Sequence, residues 1–261
     1  MEVVAVSGAL GAEVSDIRLA EVTDDEFADI RDAFHKHCML AFPGQFLTID
    51  EHVAFAGKWG EWSISPFVTY LETHPCVLAL TNRGKEHTVT EAWHTDSAFL
   101  AQPPALNVLS AHKVPIGGDT MWSNQYRAYE RLSSGMKSLL EGVRAEYIGT
   151  VLAALGGSDD VPTTYHPLVR THPETGRKAL YMTKPGATIS RLEGMTPAES
   201  RPLLDYLYDF STQPDNVHRH HWSDGDVVMW DNRCTMHFAV HDYGDAVRDI
   251  HRISIKGDAP A

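Results

Sequence analysis

The sequence predicts a mainly β fold of jelly-roll type with helices on its periphery. Three features lead there: many short apolar segments bounded by turn residues, three isolated helix capping boxes, and no regular strand–helix alternation or glycine-rich phosphate loop. The last feature weighs against a doubly wound α/β fold, which is the alternative for a chain of 261 residues.

The elements follow in order. Val3 to Ala20 reads as short strands and turns. Thr23-Asp24-Asp25-Glu26 is a capping box, in which hydroxyl and carboxylate satisfy each other's backbone amides, and it opens a helix to about Cys38. Met39-Leu40-Ala41-Phe42 is a short buried strand stopped by Pro43-Gly44. Thr48-Ile49-Asp50-Glu51 starts a helix to about Trp59. Thr196-Pro197-Ala198-Glu199 starts another to about Phe210, with proline at the first helical position. Strands are expected at Cys76–Thr81, Leu106–Lys113, Gly118–Trp122, Asp226–Trp230 and Arg248–Lys256. Gly142 to Tyr165, with Gly156-Gly157-Ser158-Asp159-Asp160, reads as a long mobile loop able to serve as a lid. No repeat or linker divides the chain, so residues 1–261 are read as one domain.

Composition narrows the function. Apolar residues are 43% and charged residues 22%, ordinary for a globular protein, and the net charge is −13. Nucleic-acid binders carry basic patches that neutralise phosphates, and no such run occurs here. A small anionic substrate stays open, because one or two buried arginines bind an anion locally whatever the net charge. Cys38, Cys76 and Cys234 are too few and too scattered for a disulfide or zinc framework and are expected to be reduced and buried. No apolar run reaches the roughly 20 residues of a membrane span. The start, Met1-Glu2-Val3-Val4, lacks the pattern of a secretory signal. The expectation is a soluble, cytoplasmic protein without nucleic-acid or membrane partners.

The sharpest local signal is Trp93-His94-Thr95-Asp96. In extended chain, residues two apart share a face, so His94 and Asp96 present imidazole and carboxylate together while Thr95 points away. That is two-thirds of a two-histidine, one-carboxylate iron(II) site. Taken alone, a His-x-Asp is more often an ordinary polar pair. His218, His220, His221, His237, His241 and His251 are candidates for the third ligand. His237 follows a buried strand and a turn, while His218, His220 and His221 lie in a polar stretch and are expected to face solvent. Arg248 and Arg252, four apart on a strand, share a face; buried, each calls for an anion, and exposed, they are only surface charges. Gly117-Gly118-Asp119-Thr120 is a turn into a strand, and Thr120 can offer its hydroxyl to a bound carboxylate.

Together and in this order the pieces resemble the taurine dioxygenase and 2,4-dichlorophenoxyacetate dioxygenase (TauD/TfdA) family. The matching phrases are Ala41-Phe42-Pro43-Gly44-Gln45, Trp93-His94-Thr95-Asp96, Gly117-Gly118-Asp119-Thr120-Met121-Trp122, Trp230-Asp231-Asn232-Arg233 with His237, and Arg248 with Arg252 and Gly257-Asp258. The resemblance implies a double-stranded β-helix, the cupin-like form of jelly roll. It implies that His94, Asp96 and His237 bind Fe(II), that Thr120 and Arg248 hold the distal carboxylate of 2-oxoglutarate, and that Arg252 holds the anionic group of the primary substrate. The implied reaction uses O2 and releases succinate and CO2 as a small molecule is hydroxylated; desaturation or cyclisation can run on the same machinery. A homo-oligomer is the family expectation.

The resemblance also has gaps. The taurine enzyme carries Gly-x-x-His-Ile-His-Pro where this chain has Gly60-Glu61-Trp62-Ser63-Ile64-Ser65-Pro66, and an asparagine four residues before the first iron ligand is here Thr90. Ser63, Ser65 and Thr90 are therefore candidate substrate-pocket residues, and taurine is expected to be a poor substrate. Two other classes compete: a non-catalytic cupin-like metal-binding sensor, and a zinc hydrolase. Neither gives Thr120 and Arg248 a role.

Overall fold

The computed structural model describes residues 1–81, 91–155 and 160–261. The chain opens with β1 (Glu2–Ala5), β2 (Ala12–Ser15), α1 (Asp24–His37), β3 (Met39–Phe42), α2 (Ile49–Gly57) and β4 (Leu78–Thr81). Next come β5 (Leu106–Lys113), β6 (Thr120–Asn124), α3 (Gln125–Arg131), α4 (Ser134–Leu140), β7 (Arg144–Ile148) and α5 (Thr150–Leu155). The last part holds β8 (Thr163–Pro167), β9 (Val169–Thr171), β10 (Lys178–Leu180), β11 (Ile189–Leu192), α6 (Pro197–Ser211), β12 (Val217–His220), β13 (Val227–Asp231), β14 (Thr235–Ala239) and β15 (Asp249–Ile255).

The three capping boxes form as read. Thr23, Thr48 and Thr196 each accept the amide of the glutamate three residues on, whose carboxylate returns to the threonine amide. α2 ends at Gly57, two residues before the expected stop.

The major sheet has the order β1-β2-β3-β13-β5-β15-β4, and β12-β6-β14 forms a smaller sheet. A core containing Leu109, Ala111, Val228, Trp230 and Ile250 from the major sheet and Trp122 from β6 joins the two. This is the jelly roll. On the outer face of the major sheet, Val108, Met229, Ile253 and Ile255 pack with Ile30 and Phe34 of α1 and Phe55 of α2. Alternation along β15 explains the split: Ile250 turns inward, Ile253 and Ile255 outward. A third core gathers β7, β11 and α6. Cys38, Cys76 and Cys234 are free and buried, as expected. No helix among the described residues is long and apolar enough to cross a membrane.

Two expectations are corrected. Gly142 to Tyr165 is not one long loop: Arg144–Ile148 is β7, Thr150–Leu155 is α5, and β8 begins at Thr163. β7 pairs with β8 and β11, and Ala145 and Tyr147 are fully buried, so it is core rather than lid. Residues 156–159 of that stretch lie outside the described residues. His218 and His220 do not face solvent either. They lie on β12 against Trp122 and Thr120 of β6 and are half-buried; only His221 is exposed.

Candidate metal and co-substrate site

The site sits where the chain entering the jelly roll meets β14. His94 and His237 form an antiparallel bridge through both backbone hydrogen bonds, 3.0 and 2.8 Å. The His94 segment is therefore a single bridge rather than a full strand. The chain turns after Asp96, with Ser97 in the left-handed region at φ 49°. The same-face expectation nevertheless holds. His94 Nε2 lies 3.5 Å and His237 Nε2 3.8 Å from Asp96 Oδ1, and the three potential ligand atoms are all within 4.8 Å of one another. Thr95 points away, its hydroxyl donating to the Met182 carbonyl at 2.9 Å.

The surroundings suit a divalent ion. His94 Nδ1 lies 2.7 Å from the Ala92 carbonyl, which can only accept, so Nδ1 carries a proton and Nε2 is the ring atom turned toward Asp96. Burial first, with His94 adding to it, pushes the His237 imidazole down to about 3, so it is neutral and able to ligate. Burial acts to raise the Asp96 carboxyl, but Arg252 and the two imidazoles outweigh it and hold the group well below the usual carboxylate range. Two imidazoles and one carboxylate, with no thiolate beside them among the described residues, form a set that suits iron(II).

Arg252 reaches this cluster from β15. Its Nη1 donates to Asp96 Oδ2 at 2.9 Å, while its buried Nε has no partner among the described residues. Arg248, at the entry to β15, is 8% exposed, and its Nε donates to the Gly118 carbonyl at 3.0 Å. Burial lowers its guanidinium, with Tyr243 and Asp119 acting against that. Gly118 lies in the left-handed region at φ +69°, and a β-carbon there would come within 3.1 Å of Arg248 Cδ. The Gly-Gly-Asp-Thr turn thus brings a bare backbone up to the arginine. Its Asp119 is buried and ties down Arg219 (2.6 Å) and His221 (2.8 Å). Thr120, two residues after Gly118, is also buried.

The candidate pocket residues separate. Ser63 donates its amide to the Ser254 carbonyl at 2.8 Å, placing it beside β15, two residues from Arg252. The Ser65 hydroxyl accepts the Phe67 amide at 3.3 Å. Thr90 lies outside the described residues.

Three residues that sequence reading left without a role support the site. Asn232 is 1% exposed and grips the Asp96 backbone from both sides, its Oδ1 accepting from Asp96 N at 2.9 Å and its Nδ2 donating to Asp96 O at 3.0 Å. Tyr208 of α6 accepts the Trp93 amide at 3.1 Å. Trp222 donates to Thr120 Oγ1 at 3.0 Å. Asn232 stands in a phrase that the resemblance picked out, but nothing local shows that its side chain reaches 136 residues back.

Known proteins resemble this chain over nearly its whole length. The family described as taurine catabolism dioxygenase TauD, TfdA matches residues 2–254. The alkylsulfatase of Acinetobacter baylyi is 34% identical across 97% of this chain and 84% of its own. The (S)-phenoxypropionate/alpha-ketoglutarate-dioxygenase of Sphingobium herbicidovorans is 31% identical across 92% and 89%. Among solved structures, a taurine dioxygenase from Burkholderia xenovorans superimposes with a TM-score of 0.88 at 33% identity, covering 100% of this chain and 92% of that one.

Proposed function

Since the chain belongs to the taurine catabolism dioxygenase TauD, TfdA family, we propose that it is an Fe(II)- and 2-oxoglutarate-dependent dioxygenase that hydroxylates a small organic anion, releasing succinate and CO2. The carrying observation is the convergence of His94, Asp96 and His237 within 4.8 Å. They would hold Fe(II) from one side. The metal, once bound, supplies the redox chemistry with O2 and 2-oxoglutarate. The protein holds, orients and excludes water. Arg248 and Thr120 are assigned to the distal carboxylate of 2-oxoglutarate, where a buried guanidinium and a buried hydroxyl can share one anion.

Arg252 is assigned to the anionic end of the primary substrate. Its bond to Asp96 fixes that anion's distance from the metal, while the unpartnered Nε remains to receive it. Sulfonates, alkyl sulfates and aryloxyalkanoates all present such a group. Ser63 sits beside β15 and is assigned to the same pocket, and Ser65, whose hydroxyl accepts the Phe67 amide, keeps its proton for a ligand. Taurine is read as a poor substrate, because serines stand at both positions where the taurine enzyme has histidines. The protein is further read as a single cytoplasmic domain that self-associates.

Anaerobic addition of Fe(II) and 2-oxoglutarate tests the reading. A weak visible metal-to-ligand charge-transfer band is expected, abolished in His94→Ala and weakened in Arg248→Ala. Folded protein that binds iron and gives no band would overturn the co-substrate site and favour a metal-binding sensor.

A further inference from the structure

Thr120 carries one hydroxyl, which can donate one hydrogen bond and accept two. Trp222 uses one accepting position: its indole Nε1 lies 3.0 Å from Thr120 Oγ1. An indole N–H only donates, so the direction of this bond is fixed. The Thr120 proton must therefore go elsewhere, and among the described residues the hydroxyl donates to none. Both residues are buried, Thr120 at 4% exposure and Trp222 at 7%, so water is a poor substitute. A buried donor without an acceptor is costly, and an anion beside it removes the cost.

The indole itself is held in place. Trp222 comes two residues after the end of β12, and the His220 ring stands edge-on against it at 90° with centroids 5.0 Å apart. His220 in turn pairs in register with Thr120 across β12 and β6. Donor and acceptor are thus locked by the same pair of strands. Trp222 also belongs to the core between the sheets, with Trp122, Trp230 and Ile250.

We propose that Trp222 is a positioning residue for the co-substrate: by occupying the accepting side of Thr120 Oγ1, it commits the hydroxyl proton to the distal carboxylate of 2-oxoglutarate. This rests on the assignment of Thr120 and Arg248 to that carboxylate. The indole does not touch the co-substrate. It polarises the hydroxyl and fixes its rotamer, so that less orientational freedom is lost on binding.

The test is a double-mutant cycle on the iron-loaded protein, read as the 2-oxoglutarate dissociation constant from anaerobic titration of the charge-transfer band. Trp222→Phe keeps the ring and removes the donor, and should weaken binding about 5- to 30-fold. Thr120→Val should weaken it by about 10-fold or more. In the Thr120→Val background, Trp222→Phe should have almost no further effect, because the hydroxyl it organises is gone. Iron affinity and the melting curve serve as controls. If Trp222→Phe fails to fold, replacement of Trp222 by 3-benzothienylalanine, which has the indole's shape without its N–H, gives the same reading. Equal losses from the Trp222 change in both backgrounds would mean that it acts by packing alone, overturning the proposal. If the wild-type holoprotein shows no 2-oxoglutarate binding, the functional reading itself falls. Normal wild-type binding with no loss in Thr120→Val removes only the role of Thr120, and that of Trp222 with it.

Discussion

Replacing Gly118 by alanine should damage co-substrate binding without touching the metal site. The added methyl would lie 2.8 Å from Tyr243 Cδ1 and 3.1 and 3.2 Å from Cδ and Nε of Arg248. All three are inside ordinary contact, and two belong to the residue assigned to the distal carboxylate. The backbone adds to the strain, since φ is +69° and a β-carbon there costs about 1 kcal/mol. Arg248 must give way, which breaks or lengthens the 3.0 Å bond from its Nε to the Gly118 carbonyl. Charge-assisted hydrogen bonds contribute about 1.5–3 kcal/mol, so losing half to all of one weakens 2-oxoglutarate by about 4- to 150-fold. Gly117→Ala is the matched control. Its methyl would meet Asp242 Oδ1 at 2.6 Å, also at positive φ, but no atom of Arg248 is among its nearest neighbours. Both variants should lose stability in thermal melts, and Gly118→Ala should lose the more affinity in anaerobic titrations with 2-oxoglutarate, since Gly117→Ala reaches the turn only through Asp242, which accepts the Gly118 amide. Wild-type affinity in a folded Gly118→Ala would refute the claim that this turn positions Arg248 for the co-substrate.

Other perturbations separate the remaining parts of the site. Asn232→Ala orphans the Asp96 amide and carbonyl and the Pro104 carbonyl; iron affinity should fall about 10- to 100-fold, by direct metal titration, and unchanged affinity would deny Asn232 its hold on the ligand. Arg252→Lys keeps the charge but loses the fork that reaches Asp96, so KM for the anionic substrate should rise at least about 10-fold while 2-oxoglutarate binding changes little; the reverse pattern would exchange the roles of the two arginines. Acid should destabilise the fold through His52 of α2, which is fully buried beside His112 and His251 and pushed down to about 3, chiefly by burial. A histidine depressed in the folded state contributes stability present above its unfolded pKa near 6.5 and lost as pH falls toward 3, about 2 kcal/mol by pH 5. Denaturant titrations of His52→Gln at pH 7 and pH 5 should show a smaller acid loss than wild type, and an equal loss would place the sensitivity elsewhere.

What could be read from the sequence was what is encoded locally. The helices that were found begin with a threonine and a glutamate three residues apart, a signal complete within four residues. α3 and α4 have caps as well, but Asn124 and Ser133 accept the amides of Arg127 and Met136, which cannot return the bond. At seven residues each, they show little periodicity. β12 was missed because its residues are polar. His220 is half-buried by Trp122 of β6, about a hundred residues earlier, and by Trp222, which lies just past the end of the strand. The His94–Asp96 pairing was legible because residues two apart share a face in any extended segment, even one that turns immediately afterwards. His237 could not be singled out by spacing, since several histidines follow the same strand region; motif order chose it, and the bridge to His94 explains why it converges. The Arg248–Arg252 spacing survives a register shift between Asp249 and Ile250, because the extra residue lies on β5, at His112, and leaves the alternation along β15 intact.

On the proposed function, the charge of the site would let so acidic a protein take anions. The net charge of −13 would repel a dianion at long range, but salt screens such repulsion over about 8 Å. Affinity is decided by the few charges that share the cavity. On the proposed assignment Arg248, Arg252 and Fe(II) would bring an excess of positive charge over Asp96, with Asp119 near enough to Arg248 to offset part of it. Burial makes that excess costly until anions enter. 2-Oxoglutarate would set two negative charges against it, and an anionic substrate one more. A sulfonate, a sulfate ester or a carboxylate satisfies that balance, whereas a neutral substrate leaves Arg252 unpaired beyond Asp96. The same accounting favours co-substrate entering first, because the doubly charged ligand relieves more of the burial cost. On the proposed assignment Arg252 would serve twice: its bond to Asp96 helps to keep that carboxylate ionised, and its unpartnered Nε would meet the substrate anion.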